Sequence, residues 1–407
     1  LITNYWLLLY AWSLVRFWRK PGWRTGALAG LLLVLTAGTA VTNLPYELVP
    51  LTAVYGGLML WRNRRAWRRW LRPGLVYAAV AASGILFLYG PLMIGVWSGQ
   101  IENLEAAGTV DFSTDLLGFI TPSPFNRMLQ GAGLVPGWAA DVLGRDNNTA
   151  EEAAYLGMVA VSLAALALWR RRTEAIPWLL TALAGMILSL GPVLKVDTQV
   201  VEVSIGGRSL PIPLPYALYE ALPGMGLGRT PGRLNMVTGV AQAALAAYGL
   251  AALLARWPRL DRPVWQTGLV IGLAALILVE YPLFTPFLTS PAPMPAYFET
   301  LAQDAARGIV RPVLDVPAND FLVMVWQLYF QTAHHQPLLS GHVVRQTPAN
   351  HAMLRMVDMA SLPPVENGLV PTLTLEQQAA ILRAAGAQIV VVHRDRPEGP
   401  AMAAHLV

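Results

Sequence analysis

No cysteine occurs among the 407 residues, which excludes disulfides and thiolate metal sites. Charge is scarce as well: 13% of residues are Asp, Glu, Lys or Arg, against 55% hydrophobic. A soluble globular domain carries about twice that share of charge, so lipid is the expected solvent for much of the chain. Lysine is almost missing. Of the 29 basic residues only Lys20 and Lys195 are Lys, and the arginines stand in short clusters between apolar stretches. That arrangement reads as a topology signal and not as a nucleic-acid surface, although the net charge is +5. An initiating Met is absent too: the chain opens at Leu1, already inside an apolar run. A preceding segment is therefore expected, rather than a signal peptide. There is no Gly-x-Ser-x-Gly elbow, P-loop or dinucleotide fingerprint.

What is present is a series of apolar runs. A helix needs about 20 mostly apolar residues to cross a bilayer core. Such runs lie near 1–17, 25–42, 46–61, 74–96, 154–169, 176–194, 234–255 and 265–285. The second and third are short and joined by Thr42-Asn43-Leu44-Pro45-Tyr46-Glu47, as in a tight membrane hairpin. Basic clusters follow every other run: Arg16 to Arg24, Arg62 to Arg72, Arg170 to Arg172 and Arg256 to Arg262. Loops rich in Arg stay in the cytoplasm. The loops 97–153 and 195–233, and the tail from 286, are then expected outside. For Arg62–Arg72 an anionic-lipid or nucleic-acid patch is the alternative to topology anchoring.

The outer loops hold the candidate site residues. Loop 97–153 carries Asp115 before an apolar Leu-Leu-Gly-Phe-Ile-Thr-Pro stretch, and ends at Glu151-Glu152. These two acids either cap the fifth helix and complement its dipole, or act as base or ligand at the mouth of a cavity. In loop 195–233, the Val/Ile alternation from Val200 to Ile205 ends at Gly206-Gly207 and predicts a β-hairpin. A short amphipathic stretch from Tyr216 to Leu222 follows. The loop closes with Arg229-Thr-Pro-Gly-Arg233, directly ahead of the seventh apolar run. Cations are disfavoured by the dipole at a helix N-terminus, whereas its backbone N–H groups attract anions. Arg229 and Arg233 therefore read either as a lipid-phosphate site or as side chains snorkelling to headgroups.

The motifs Asp115-Leu-Leu-Gly-Phe-Ile-Thr-Pro-Ser-Pro, Glu152-Ala-Ala-Tyr-Leu-Gly, Leu188-Ser-Leu-Gly-Pro, Pro213-Leu-Pro-Tyr and Arg229-Thr-Pro-Gly-Arg-Leu occur in an order that resembles a known family. It is the C-terminal half of bacterial polytopic glycosyltransferases of the GT-C superfamily and their uncharacterised relatives. The resemblance covers roughly residues 25–285. It implies transfer of a sugar from a polyprenyl-phosphate donor to a glycan acceptor at the outer face of the cell membrane. By this resemblance Arg229 and Arg233 would bind the donor phosphate, and Asp115, Glu151 or Glu152 would position the acceptor or a divalent cation. The family's catalytic acid would lie upstream of Leu1.

From Ser290-Pro-Ala-Pro-Met-Pro295 onward the composition is that of a soluble domain. A strand is expected at the end of 309–316 and a helix over 320–332. Leu338-Leu339 is read as a short strand, 374–385 as a helix begun by Thr374, and 386–393 as a buried strand. That alternation predicts a small α/β domain. All six histidines (His334, His335, His342, His351, His393 and His405) lie here. They read as metal ligands, as hydrogen-bonding groups lining a glycan groove, or as ordinary core and surface residues.

The expected fold class is thus a membrane all-α bundle of about eight transmembrane helices, GT-C-like, over 1–285. An extracytoplasmic α/β domain over 286–407 completes it. The expected function is a glycosyltransferase-like membrane protein. The alternatives are a non-catalytic envelope-assembly or glycan-binding protein, and a transporter.

Overall fold

A computed structural model describes residues 5–99, 109–144, 153–222, 225, 230–256, 263–282, 292–318, 320–341, 348–362 and 373–406. The chain is mostly helical, with small two-stranded sheets. It divides into two compact units: Leu1–Pro91 with Leu104–Leu288, and Leu92–Asn103 with Thr289–Val407.

Among the described residues the longer helices up to 288 are α1 (Tyr5–Arg19), α2 (Trp23–Thr39), α3 (44–62), α4 (Leu71–Trp97, its residues after Pro91 assigned to the second unit), α5 (Met158–Arg170), α6 (Arg172–Ser189), α7 (Asn235–Arg256) and α8 (Pro263–Glu280). Pro21 and Gly22 end α1, and Thr25 Oγ1 accepts the Gly22 N–H at 3.0 Å to start α2. Helix α3 carries two π turns, Leu44–Leu48 and Thr52–Gly56, on either side of Pro50. Proline has no N–H to give the helical ladder, so the winding loosens around it. The Thr52 hydroxyl donates to the Leu48 carbonyl at 2.6 Å in the gap. Tyr10 of α1 is fully buried against α3 and α4, its hydroxyl bonded to Thr52 and, at 2.9 Å, to Tyr77.

Two helices among the described residues are long and apolar enough to cross a membrane, Arg64–Trp97 (34 residues) and Pro231–Ala255 (25 residues); Met158–Arg170 and Val264–Glu280 are shorter and also apolar. The first of these buries little of itself: Leu86 is 72% exposed and Phe87 83%.

Glycines set how closely these helices approach. A Cβ on Gly249 of α7 would lie 1.9 Å from the Leu163 carbonyl oxygen of α5, and one on Gly185 of α6 would lie 2.6 Å from Thr238 Oγ1 of α7. Helix α2 meets α4 the same way, with Gly26 against the Pro73 carbonyl. Small residues that admit backbone-to-backbone packing are what associates helices where no hydrophobic drive separates lipid from protein.

The loops of this unit hold two antiparallel hairpins: β1 (Lys195–Val196) with β2 (Gln199–Val200), and β3 (Glu202–Ile205) with β4 (Arg208–Pro211). Gly206 and Gly207, at φ of 59° and 80°, turn the second as the sequence predicts. The first turns on Asp197 and Thr198 at φ of 52° and 64°, with no glycine to announce it.

The second unit is a small α/β fold. Strand β5 (Val313–Val316) pairs in parallel with β6 (Ile389–Val392), and Leu338 bridges the other side of β5 at Val313. Helices α9 (Ala296–Ala306) and α10 (Phe321–His334) precede the bridge, and α11 (Pro348–Ser361), α12 (Leu375–Ala384) and α13 (Gly399–Leu406) complete the unit. Alternation along the strands sorts the core. Leu314 and Val316 face Leu354, Val357 and Met402, whereas Val313 packs with Phe298, Leu301 and Phe330. Asp320 caps α10 by accepting from Leu322 and Val323, and Thr374 caps α12 in a capping box with Gln377.

Replacing Gly249 by Leu should cost about 1–3 kcal/mol by overpacking and lower the thermal midpoint of the purified chain. Gly239→Ala, on the same helix with open space at its Cβ, should be neutral or stabilising by up to about 1 kcal/mol. Equal midpoints for the two variants would refute the close approach.

Candidate functional site

The site is assembled where α2 and α3 meet the start of α7. A short 3₁₀ turn, Pro231–Leu234, leads into α7 and holds Arg233 half-buried. Its guanidinium Nη1 donates to Thr42 Oγ1 at 2.9 Å, in the turn between α2 and α3. The charge of Arg233 also acts on Glu47, in the first π turn of α3. Glu47 is only 4% exposed, and its Oε2 is buried without a hydrogen-bond partner. A buried carboxylate left short of partners is costly to ionise, and the Arg233 charge offsets only part of that cost.

Tyrosines close the same place. Tyr46 and Tyr216 are fully buried with their hydroxyls 3.3 Å apart, and the Thr230 N–H donates to the Tyr46 oxygen at 3.1 Å. The Tyr219 hydroxyl donates to the Pro45 carbonyl. Burial, and then the neighbouring Tyr46, push the Tyr216 phenol well above its ordinary range. It therefore stays protonated. The floor is tied down by the Gly232 N–H to the Phe112 carbonyl (3.0 Å), the Thr114 N–H to the Ser189 carbonyl (2.9 Å) and Asn235 Nδ2 to Thr114 Oγ1 (2.7 Å). Gly191, at φ 77°, lets Ser113 lie where any Cβ would collide with it.

Of the residues expected from sequence, the structure brings Arg233 into this site and holds Asp115 near its floor. Asp115 is 1% exposed. One of its oxygens accepts from the Leu117 N–H at 2.8 Å and caps a 3₁₀ turn; the other accepts from the Thr198 N–H at 2.7 Å. It thus braces its own loop against the β1–β2 turn. Arg229, Glu151 and Glu152 lie outside the described residues. Helix α5 begins at Met158, later than 154, and its cap is not local. Glu280, 7% exposed at the end of α8, accepts from the Met158 and Val159 N–H groups and from the Tyr155 hydroxyl. Glu47 was not singled out in the sequence. The signal was available: one acid set in an apolar run is an ionisable group inside a candidate span.

In the second unit the histidines part company. His335 ends α10 in the left-handed region (φ 53°) and is exposed, while His334 is fully buried, stacked on Phe298 at 5.3 Å. His334 Nδ1 accepts from the Gln336 N–H at 3.0 Å, and its Nε2 is buried without a partner. At the ends of the parallel strands His393 Nε2 meets Asp315 Oδ1 at 2.8 Å. Burial opposes ionisation of Asp320, but the Val323 and Leu322 N–H groups and Arg396 outweigh it and hold its carboxyl below the usual range. His342 and the side chain of His351 lie outside what is described. No group of three or more His, Asp or Glu is arranged to hold a metal among the described residues.

Comparison with protein-family models, curated proteins and solved structures finds no match. The reading therefore rests on this geometry.

Burial pushes the His334 imidazole down, outweighing the pull of Asp315. Its proton uptake is easier in the unfolded chain, so its contribution is full above about pH 6.5 and is lost as pH falls toward the depressed folded value. Protection factors along 321–334, corrected for the intrinsic exchange rate, should fall below about pH 6.5 in the wild type and less steeply in His334→Gln. An unchanged pH profile in the variant would refute this.

Proposed function

We propose that the chain is a multi-pass membrane protein whose site at the outer ends of α2, α3 and α7 handles a lipid-linked phosphate. The membrane reading is supported by eight helices falling on the eight apolar runs. It is also supported by the exposed apolar surface of α4, which water would not tolerate at Leu86 and Phe87. With Arg-rich loops in the cytoplasm, α7 begins at the outer face.

The observation that carries the functional reading is Arg233, bonded to Thr42 Oγ1, with its charge acting on the buried Glu47, whose Oε2 has no hydrogen-bond partner. In the manner of the glycosyltransferases that the sequence resembles, the donor is a polyprenyl-phosphate sugar. Glu47 takes the proton of an acceptor hydroxyl, whose oxygen then bonds to the anomeric carbon. The bond from that carbon to the phosphate oxygen breaks, and the polyprenyl phosphate leaves with its charge opposed by Arg233. Tyr216, held protonated, is a neutral donor to the same place. Asp115 keeps the outer loop in position and takes no part in the chemistry.

A second reading is binding of the same lipid-linked glycan without transfer. The close neighbourhood of Glu47 and Arg233 favours it, because the carboxylate already answers part of the charge that a phosphate would need.

The two are separated in proteoliposomes holding polyprenyl-phosphate hexoses and a glycan acceptor. Transfer should fall about 10²–10³-fold in Arg233→Gln and by a comparable factor in Glu47→Gln. Retention of the donor should fall only in the arginine variant. Donor retention without transfer in the wild type would select the binding reading, and turnover unaffected by Arg233→Gln would sink both.

A further inference from the structure

A different part of the first unit is built for an amphiphile. Between α1 and α7 runs a groove of about 440 Å³, lined by Leu8, Ala11, Trp12 and Val15 on one side and by Val240 and Ala243 to Ala251 on the other. Four alanines on α7, Ala243, Ala244, Ala247 and Ala251, leave the trough that larger side chains would fill. At its end Arg19 Nη2 donates to the Tyr248 hydroxyl at 2.9 Å, bridging the two helices.

Beyond that bridge lies a second hollow of about 220 Å³, which shares Val15, Arg19, Trp178 and Tyr248 with the groove. Its character is different. Arg19, Arg62, Asn63 and Glu174 line it. Arg62 Nη1 donates to the Thr173 carbonyl at 2.7 Å, and among the described residues neither guanidinium is within ion-pair distance of a carboxylate. Trp18 also lines this hollow, and its indole N–H is buried with no acceptor. Two cations and an unanswered N–H therefore converge where there is one acid, Glu174, and that acid already accepts from the Thr173 hydroxyl at 2.8 Å.

We propose that these two hollows are one site for an anionic glycerophospholipid of the cytoplasmic leaflet. One acyl chain lies along the alanine trough of α7, and the phosphate sits between Arg19 and Arg62 with an oxygen accepting the Trp18 N–H. This rests on the membrane reading above but not on the chemistry proposed at the outer face. Three features select this occupant over a soluble anion. The apolar and polar hollows adjoin at four shared lining residues, the cationic end belongs to the Arg-rich loops, and those loops face the leaflet where anionic lipids concentrate. Both cations are arginine, whose planar fork suits a phosphate.

The test uses the full chain in bilayer discs of equal phosphatidylglycerol and phosphatidylcholine with identical acyl chains, released for native mass spectrometry. The wild type should retain phosphatidylglycerol at least fivefold over phosphatidylcholine. Arg19→Gln with Arg62→Gln should abolish the preference, and Arg65→Gln, outside both hollows, should leave it intact. Ala247→Phe, which fills the trough with both arginines present, should reduce retention of either lipid. Absence of a preference in the wild type overturns the proposal, as does an equal loss in Arg65→Gln or full retention in Ala247→Phe. Carbonate extraction of the membranes separates the two levels. A chain released by carbonate overturns the membrane reading along with this one, whereas a carbonate-resistant chain without lipid preference overturns this proposal alone.

Discussion

The first unit depends on one close approach, that of α7 to its neighbours. Gly249 lets the backbone of α7 touch the Leu163 carbonyl of α5, and Gly185 lets α6 accept Thr238. No side chain intervenes at Gly249, and only the short Thr238 hydroxyl does at Gly185, so the spacing leaves little to adaptable rotamers. Arg233 stands in the turn that leads into this helix and Tyr248 toward its other end. The position of α7 therefore bears on both the Arg233 site and the bridge to Arg19. A shift along its axis would disturb the two together.

Some of the buried polar groups of this unit join one helix to another. Tyr10 joins α1 to α3 and α4 through Thr52 and Tyr77. Such bonds contribute modestly, about 0.5–1.5 kcal/mol each, but they are directional where apolar contact is not. Register along the helices is what they supply. The second unit achieves the same end differently, by alternating two apolar clusters on the faces of β5 and β6 and by capping α10 and α12 with their own first residues.

What could be read in the sequence was whatever is local. The eight apolar runs, the Gly206-Gly207 turn, the Asp320 and Thr374 caps and the Val-rich β6 are each decided by residues within a few positions of one another. The helices α9, α11 and α13 were missed because their apolar spacing is interrupted by polar and small residues that only tertiary contacts make sense of. The β1–β2 turn was missed because Asp197 and Thr198 adopt a conformation that glycine usually signals. The partnership of Glu47 with Arg233 spans the whole unit in sequence and leaves no local trace. Asp115 was recognised as notable for its acidity, but one of the two N–H groups that engage it comes from a hairpin 83 residues away.

The cap on α5 has a bearing on how the molecule is made. Helix α5 starts at Met158 with no side-chain cap of its own, and the carboxylate that receives its first N–H groups belongs to Glu280, 122 residues later in the chain. While the protein is being synthesised, those donors have no permanent acceptor until the last helix of the unit has emerged. Solvent must serve in the interval, so this end of α5 stays hydrated until α8 is in place. Arrival of α8 then replaces solvent with the carboxyl group of Glu280. A helix made late thereby fixes one laid down much earlier in the chain.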